Sequence, residues 1–143
     1  MAEQVELTQL VGSWRLVSLG VTFADTNERI DLYGPHPAGY MVLSSNGRIS
    51  FLFTRADRTP PQTDTDRATL FSAMTAYTGL VRIAAEDRFV INVDLAWDPG
   101  WTGEQIRYFA LEGNRLMIRA PAQMHPQMGN RLFVGDLVWE RET

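Results

Sequence analysis

The sequence predicts an all-β protein, a closed antiparallel up-and-down barrel of about eight strands with one helix inserted between the third and fourth strands. Three observations predict it. Segments with strand patterns recur along the chain, short turn-forming segments join most of them, and one segment has helical spacing. Strands joined by hairpins pair antiparallel, and closing them into a barrel removes exposed edges. We expect the 143 residues, 45% of them apolar, to form one domain over 1–143.

The first elements are a short helix and a long strand. Val5, Leu7, Leu10 and Val11 have loose helical spacing, which Gly12 ends. From residue 13 the period is two, and both faces of 14–23 are largely apolar. We therefore expect this strand to be covered on both sides for part of its length.

The clearest local signal is a hairpin. Segments 40–45 and 48–53 have strand patterns and flank Asn46-Gly47. This dipeptide tolerates the positive φ angles of a type I′ turn, whose twist matches that of paired strands.

The predicted helix runs over 65–78. Asp64 and Asp66 favour its positive N-terminal end, and Gly79 can form its left-handed C-terminal cap. Helical spacing relates Leu70, Phe71, Met74 and Tyr77. The rest of the chain predicts strands at 80–84, 88–97, 105–111, 115–120 and 131–141.

The residue types that are missing restrict the chemistry. There is no cysteine, every one of the 13 positive side chains is arginine, and the two histidines are His36 and His125. These absences exclude thiolate nucleophiles, thiolate metal sites, pyridoxal-phosphate enzymes and three-histidine metal centres. Two histidines with a carboxylate could still hold a metal, but we expect neither a metal nor a cofactor.

The charge pattern bears on partners and location. The net charge is −4 and the arginines are spread along the chain, which argues against nucleic acid as a partner. The first six residues lack the basic and apolar runs of a signal peptide, and no stretch reaches the length of a membrane helix. We expect a cytoplasmic monomer or homodimer that does not bind membranes.

Several segments together resemble a bacterial and fungal lipocalin-like domain family. They are the Gly-x-Trp opening at 12–14, Gly-Pro-x-Pro-x-Gly-Tyr at 34–40, 76–79, 101–109 and Leu-Val-Trp-Glu-Arg at 137–141. The resemblance covers nearly the whole chain. It implies a small barrel with an internal cavity. Most members look like ligand-binding domains, whereas related small barrels serve as cyclases or isomerases in natural-product pathways.

One departure from the family matters for catalysis. Members often carry a histidine in the strand before the Trp-x-Gly segment, where this chain has Asn92, while the acid two residues on is kept as Asp94. A proton-carrier role for that histidine does not transfer. Asn92 and Asp94 share one strand face, so they either point into water or form polar handles inside the barrel.

Four residues are the candidates for catalysis. If Arg107 points inward, Asp94 on the preceding strand is its expected partner, and the pair would present Arg107 to a carboxylate, enolate or phenolate oxygen. Asp94 would then be the general base, with His36 or a tyrosine such as Tyr108 as proton donor. The alternative is that Arg107 packs on the Gly-x-Trp tryptophan at the barrel base, a role for which Arg141 is a second candidate.

A larger set of residues is expected to contact a ligand. Trp97 and Trp101 would form an aromatic rim, and methionines would add an adaptable lining. The alternatives for these side chains are core packing or a dimer contact. The predicted ligand-binding residues are Trp14, Tyr40, Phe51, Tyr77, Asn92, Trp97, Trp101, Met117, Met124 and His125.

Three hypotheses of function follow. The first is a binding protein that holds one small, mostly apolar or aromatic molecule in its cavity. The second is a cofactor-free isomerase, cyclase or lyase of specialised metabolism that uses the same cavity. The third is a barrel that is filled by its own side chains and acts only through a dimer face.

Overall fold

The computed structural model describes residues 6–124 and 128–143. A 3₁₀ turn, Leu7–Gln9, precedes nine strands and one helix. The strands are β1 (Gly12–Phe23), β2 (Arg29–Asp31), β3 (Ala38–Leu43), β4 (Arg48–Thr54), β5 (Met74–Ala85), β6 (Arg88–Ala96), β7 (Gly103–Glu112), β8 (Arg115–Arg119) and β9 (Phe133–Arg141), and the helix is α1 (Asp64–Ser72). Within the described residues, no helix is long and apolar enough to cross a membrane.

The sheet closes on itself through β1. Strands β3 to β9 pair in chain order, and β1 pairs with β3 along one edge and with β9 along the other, all antiparallel. The three-residue β2 adds to the edge of β1 beyond β3. The result is a closed antiparallel barrel of eight main strands with one inserted helix, so the predicted fold class is confirmed.

A β-bulge explains why β1 is apolar on both faces. Leu16 pairs with Trp139 and Ser18 with Val138, which leaves Val17 as an extra residue. The inward side chains are therefore Trp14 and Leu16 before the bulge and Leu19, Val21 and Phe23 after it. The bulge moves the inward face by one residue. The expected cover on both sides is found only around Gly20, where the Arg29 side chain lies over the outer face.

The predicted helix is too long. A capping box at Thr63 starts α1, but the helix ends at Ser72, and Met74 already belongs to β5. Tyr77 then points into the barrel from a strand, where its ring is 4.8 Å from that of Phe51. Pairing with β4 and β6 stabilises the strand and overrides the helical spacing. Gly79 caps no helix, and a side chain there would meet the backbone of Asn92 on β6.

The 46–47 hairpin forms with a different turn. Gly47 has φ 90° and is the residue with positive φ, whereas Asn46 is not. The N–H of Gly47 donates to the carbonyl of Ser44, and the N–H of Ser44 donates to that of Arg48. The pattern is a type I turn followed by a left-handed glycine, not the predicted type I′ turn.

One end of the barrel is closed by its own side chains. Leu10 is 2% exposed, and the Trp14 indole N–H donates to the Leu10 carbonyl at 3.0 Å. Leu7 and Leu10 pack against apolar side chains from β3 to β8 and leave a void of only about 10 Å³. We call this end the base. Its packing confines any internal site to the opposite end.

Candidate functional site

An apolar cavity lies inside the barrel beyond the base. Its cavity volume is about 70 Å³, and the free space is about 590 Å³ when the opening to solvent is included. Most of its walls are aromatic or aliphatic. The lining residues are Leu19, Val21, Leu32, Phe51, Phe53, Thr75, Tyr77, Trp101, Arg107, Ile118, Ala120, Gln123, Met128, Phe133, Gly135, Leu137 and Trp139.

Arg107 is the charged residue among those lining residues. Alternation along β7 points it inward, where it is 5% exposed beside Phe89 of β6. One guanidinium nitrogen donates to the carbonyl of Ile106 at 2.8 Å. Among the described residues no carboxylate pairs with it, so most of its five N–H donors have no acceptor in that part of the chain.

A second donor in the cavity wall also lacks a partner. Trp139 of β9 is fully buried, and among the described residues its indole nitrogen has no hydrogen-bond acceptor. The hydroxyl of Thr75, in contrast, is 3.0 Å from that of Tyr33, and the two share a buried hydrogen bond. Among the described cavity residues, the polar groups that lack a hydrogen-bond partner are therefore N–H donors, those of Arg107 and Trp139.

A glycine keeps part of the cavity wall bare. Gly135 lies on the inward face of β9, opposite Val21, and no heavy atom lies within 4 Å of where its side chain would begin. Its φ is not in the left-handed region, so the backbone does not require glycine here. A larger residue at 135 would fill space that is now open.

Asp94 and Asn92 lie on the outer face of β6 and are exposed. Two nitrogens of Arg48 donate to the two carboxylate oxygens of Asp94, at 3.1 and 2.8 Å, and Arg48 also donates to Thr78. The hydrogen bonds from Arg48 lower the pKa of Asp94. The expected Asp94–Arg107 pair is not formed, because strand alternation puts the two side chains on opposite faces of the barrel wall.

The other predicted site residues divide between the cavity and the outside. Phe51, Tyr77, Trp101 and Arg107 line the cavity, whereas Trp14 lies at the base. The following lie elsewhere on the described structure: Tyr40 on the outer face of β3, His36 in an exposed loop, Tyr108 outside against Arg88, Met117 on the outer side of β8, and Met124 63% exposed. His125 falls outside the described residues.

Trp97 and Trp101 form part of an aromatic row. Trp101 stacks on Tyr77 with ring centres 6.3 Å apart, and Trp97 lies 6.5 Å from Trp101. The Trp97 indole donates to the carbonyl of Phe71 at the end of α1. Trp97 therefore does not line the cavity itself. It contacts the cavity residue Trp101 on one side and the end of α1 on the other.

Arg141 takes the structural role at the base. Its guanidinium lies 4.2 Å from the centre of the Trp14 ring and donates to the carbonyls of Gln9 and Val11. Of the two arginines considered for that role, Arg141 has it and Arg107 does not.

Two cavity residues, Trp139 and Gly135, are absent from the site residues that the sequence predicts. Their even spacing along β9 places them on one face with Phe133 and Leu137. The spacing predicts that these residues share one face of β9, but it does not predict whether that face points into the barrel. Among the described residues, no cluster of three histidine, aspartate or glutamate side chains could hold a metal.

Comparison with known proteins agrees with this architecture. No curated protein matches the chain. A family model described as a lipocalin-like domain matches residues 11–142, which include all eight main strands and every described residue that lines the cavity. The chain therefore belongs to the lipocalin-like domain family.

Proposed function

We propose that this protein is a binding protein whose cavity holds one small, mostly apolar or aromatic molecule. The observation that carries the proposal is an internal cavity walled mainly by aromatic and aliphatic side chains, in a barrel whose other end is packed shut. Small-molecule sites in proteins are of this kind, concave and apolar with a few polar groups. A cytoplasmic location and a monomeric or homodimeric state remain part of the proposal.

The geometry favours binding over the cofactor-free isomerase, cyclase or lyase. That alternative needs a general base near the reacting atoms. Asp94 and Tyr108 lie on the outside of the barrel, and His36 is in an exposed loop. The described residues that line the cavity include no acid and no histidine. Arg107 is the one predicted catalytic residue in the cavity, and alone it can bind charge but not accept a proton.

A neutral fluorescent probe tests the binding role. We expect 1-aminonaphthalene, which is uncharged at neutral pH and brighter in apolar surroundings, to bind the wild-type protein one to one. Gly135→Leu should fill the cavity and abolish binding without unfolding the barrel, because its side chain enters open space. The matched control is Ala110→Leu, which adds the same side chain on the exposed outer face of β7.

The two variants make the outcome decisive. Loss of binding in Gly135→Leu together with retention in Ala110→Leu would support an internal site. Equal binding by both would place the probe outside the cavity and contradict the proposal. Native mass spectrometry of the protein purified from its source cell would then identify the natural occupant of the cavity.

A further inference from the structure

The strongest unexplained feature of the molecule is the buried guanidinium of Arg107. It is 5% exposed, and within the described part of the chain it has one hydrogen bond, to a backbone carbonyl. Burying a charge is costly unless an opposite charge and hydrogen bonds compensate it. Within residues 6–124 and 128–143, no side chain supplies that compensation. A ligand that brings a negative charge would.

The walls of the cavity make the positive charge more effective. Its lining consists of apolar and aromatic side chains with few neutral polar groups, and Arg107 is the charged residue among those described. Charges attract more strongly in such surroundings than in water, because the effective dielectric constant is lower. One uncompensated cation suits a ligand with a single negative charge better than a multiply charged phosphate.

The indole of Trp139 also favours a ligand whose polar group accepts hydrogen bonds. Trp139 lines the same cavity, and its buried indole N–H has no acceptor among the described residues. Guanidinium and indole groups donate hydrogen bonds and do not accept them. The polar end of the ligand must therefore be an acceptor, and an anionic oxygen pair matches the planar fork of an arginine.

The cavity also limits the size of the ligand. The cavity volume is about 70 Å³, much smaller than the free space of about 590 Å³ that includes the opening. This space suits a ligand of roughly ten non-hydrogen atoms, such as one aromatic ring with a short side chain or two fused rings. The rings of Phe51, Tyr77 and Trp101 provide the wall against which such a ligand would stack.

Resting on the proposed binding role, we infer that the ligand is a small aromatic or apolar carboxylic acid, bound as its anion. Its carboxylate takes the free N–H groups of Arg107, and its apolar body occupies the aromatic part of the cavity. Trp139 is a second donor facing the same cavity. This assigns a charge to the ligand, which the fold and the family do not.

The test compares two probes of nearly the same shape. Cinnamate carries a carboxylate at neutral pH, and cinnamamide replaces it with a neutral amide. Isothermal titration calorimetry should give a dissociation constant at least about tenfold lower for cinnamate, as expected for a charge-assisted bond in apolar surroundings. Arg107→Met should bring the two dissociation constants within about twofold of each other, because the cation that separates them is gone.

Two further variants complete the design. Arg119→Met removes an exposed arginine from β8 and should leave the preference for cinnamate unchanged. Arg107→Lys keeps the charge and should retain part of the preference. If Arg107→Met fails to fold by circular dichroism, the wild-type ratio and Arg107→Lys decide the result.

Each outcome separates this inference from the binding role. Equal binding of acid and amide by the wild type, or a preference that survives in Arg107→Met, would overturn the inference and leave the binding role intact. The same conclusion follows if neither cinnamate nor cinnamamide binds while 1-aminonaphthalene binds in a manner abolished by Gly135→Leu. If none of the three probes binds, the binding role and the inference both fail.

Discussion

Two arginines in this barrel have opposite surroundings. Arg141, at the base, lies over the Trp14 ring and donates to two backbone carbonyls at 2.6 and 2.9 Å. Arg107, in the cavity, is 5% exposed and has one hydrogen bond to the residues that the structure describes. The guanidinium at the base holds the 3₁₀ turn against β9, whereas most N–H donors of the guanidinium in the cavity have no acceptor among those residues. The difference separates a structural arginine from one available to a ligand.

Two buried tryptophans repeat the contrast. The Trp14 indole donates to the carbonyl of Leu10, and the Trp139 indole has no acceptor among the described residues. Buried polar groups in folded proteins are normally paired, because an unpaired one costs free energy. Residues that break this rule often serve function rather than stability. Removal of the polar group should therefore cost more stability at the base than in the cavity.

The largest effect should come from removing the arginine at the base. Arg141→Met loses two charge-assisted hydrogen bonds and a cation–π contact, and we expect it to lower the free energy of unfolding by about 2–3 kcal/mol. Urea denaturation followed by circular dichroism measures it. A loss below the error of that measurement would remove Arg141 from the structural role.

The matched substitution in the cavity should have the opposite sign. Arg107→Met removes an uncompensated buried charge and keeps most of the side-chain volume, so we expect the ligand-free protein to gain about 1–2 kcal/mol of stability. The same denaturation experiment, on protein stripped of any bound molecule, measures the change. A destabilisation as large as that of Arg141→Met would mean that Arg107 is structural.

The fold was more predictable from sequence than these roles. Period-two patterns and turn residues give the strands and their antiparallel order, because both are local properties of the chain. The face that each side chain occupies depends on the register, which a single bulge shifts. Val17 changes the inward face of β1 in this way, and the sequence pattern of 14–23 fits both arrangements.

The tryptophan pair should give the next largest difference. Trp14→Phe and Trp139→Phe remove the same atoms from buried positions, but only Trp14→Phe leaves a backbone carbonyl without its donor. We expect Trp14→Phe to cost about 1 kcal/mol more than Trp139→Phe in the free energy of unfolding. Equal costs would indicate that the hydrogen bond of Trp14 contributes nothing, and the contrast between the two ends would lose its second example.

The smallest effect should come from Asp94, which the sequence predicts as the general base. Asp94→Asn breaks an exposed ion pair with Arg48, so it should leave cinnamate binding unchanged and alter stability little. The pKa of Asp94 is lowered from its ordinary value of 3.8 in the folded protein. Its contribution is therefore present above that ordinary value and lost as the pH falls through the lowered folded pKa. Wild type and Asp94→Asn should converge in stability in acid, and divergence there would contradict the assignment.

The candidate site was only partly predictable for the same physical reason. Asp94 and Arg107 lie on neighbouring strands with mostly apolar surroundings, so sequence alone leaves open whether they share a face. Pairing of Asn92 with Glu104 and of Phe89 with Arg107 sets the register, and it puts Asp94 outside and Arg107 inside. Trp139 and Gly135 are site residues because β9 pairs with β1 and closes the barrel. This pairing puts them opposite the inward-facing residues of β1, which the sequence alone does not indicate.

We expect the cavity end, and not the base, to take an anionic ligand through N–H donors of Arg107 and Trp139 that have no acceptor among the described residues. A ¹H–¹⁵N correlation spectrum tests it most directly, because it resolves the indole N–H signals of the four tryptophans and the Nε–H signals of the arginines. On addition of cinnamate, we predict that the signals of Trp139 and Arg107 shift while those of Trp14 and Arg141 stay in place. Shifts at Trp14 and Arg141, with Trp139 and Arg107 unchanged, would contradict the account.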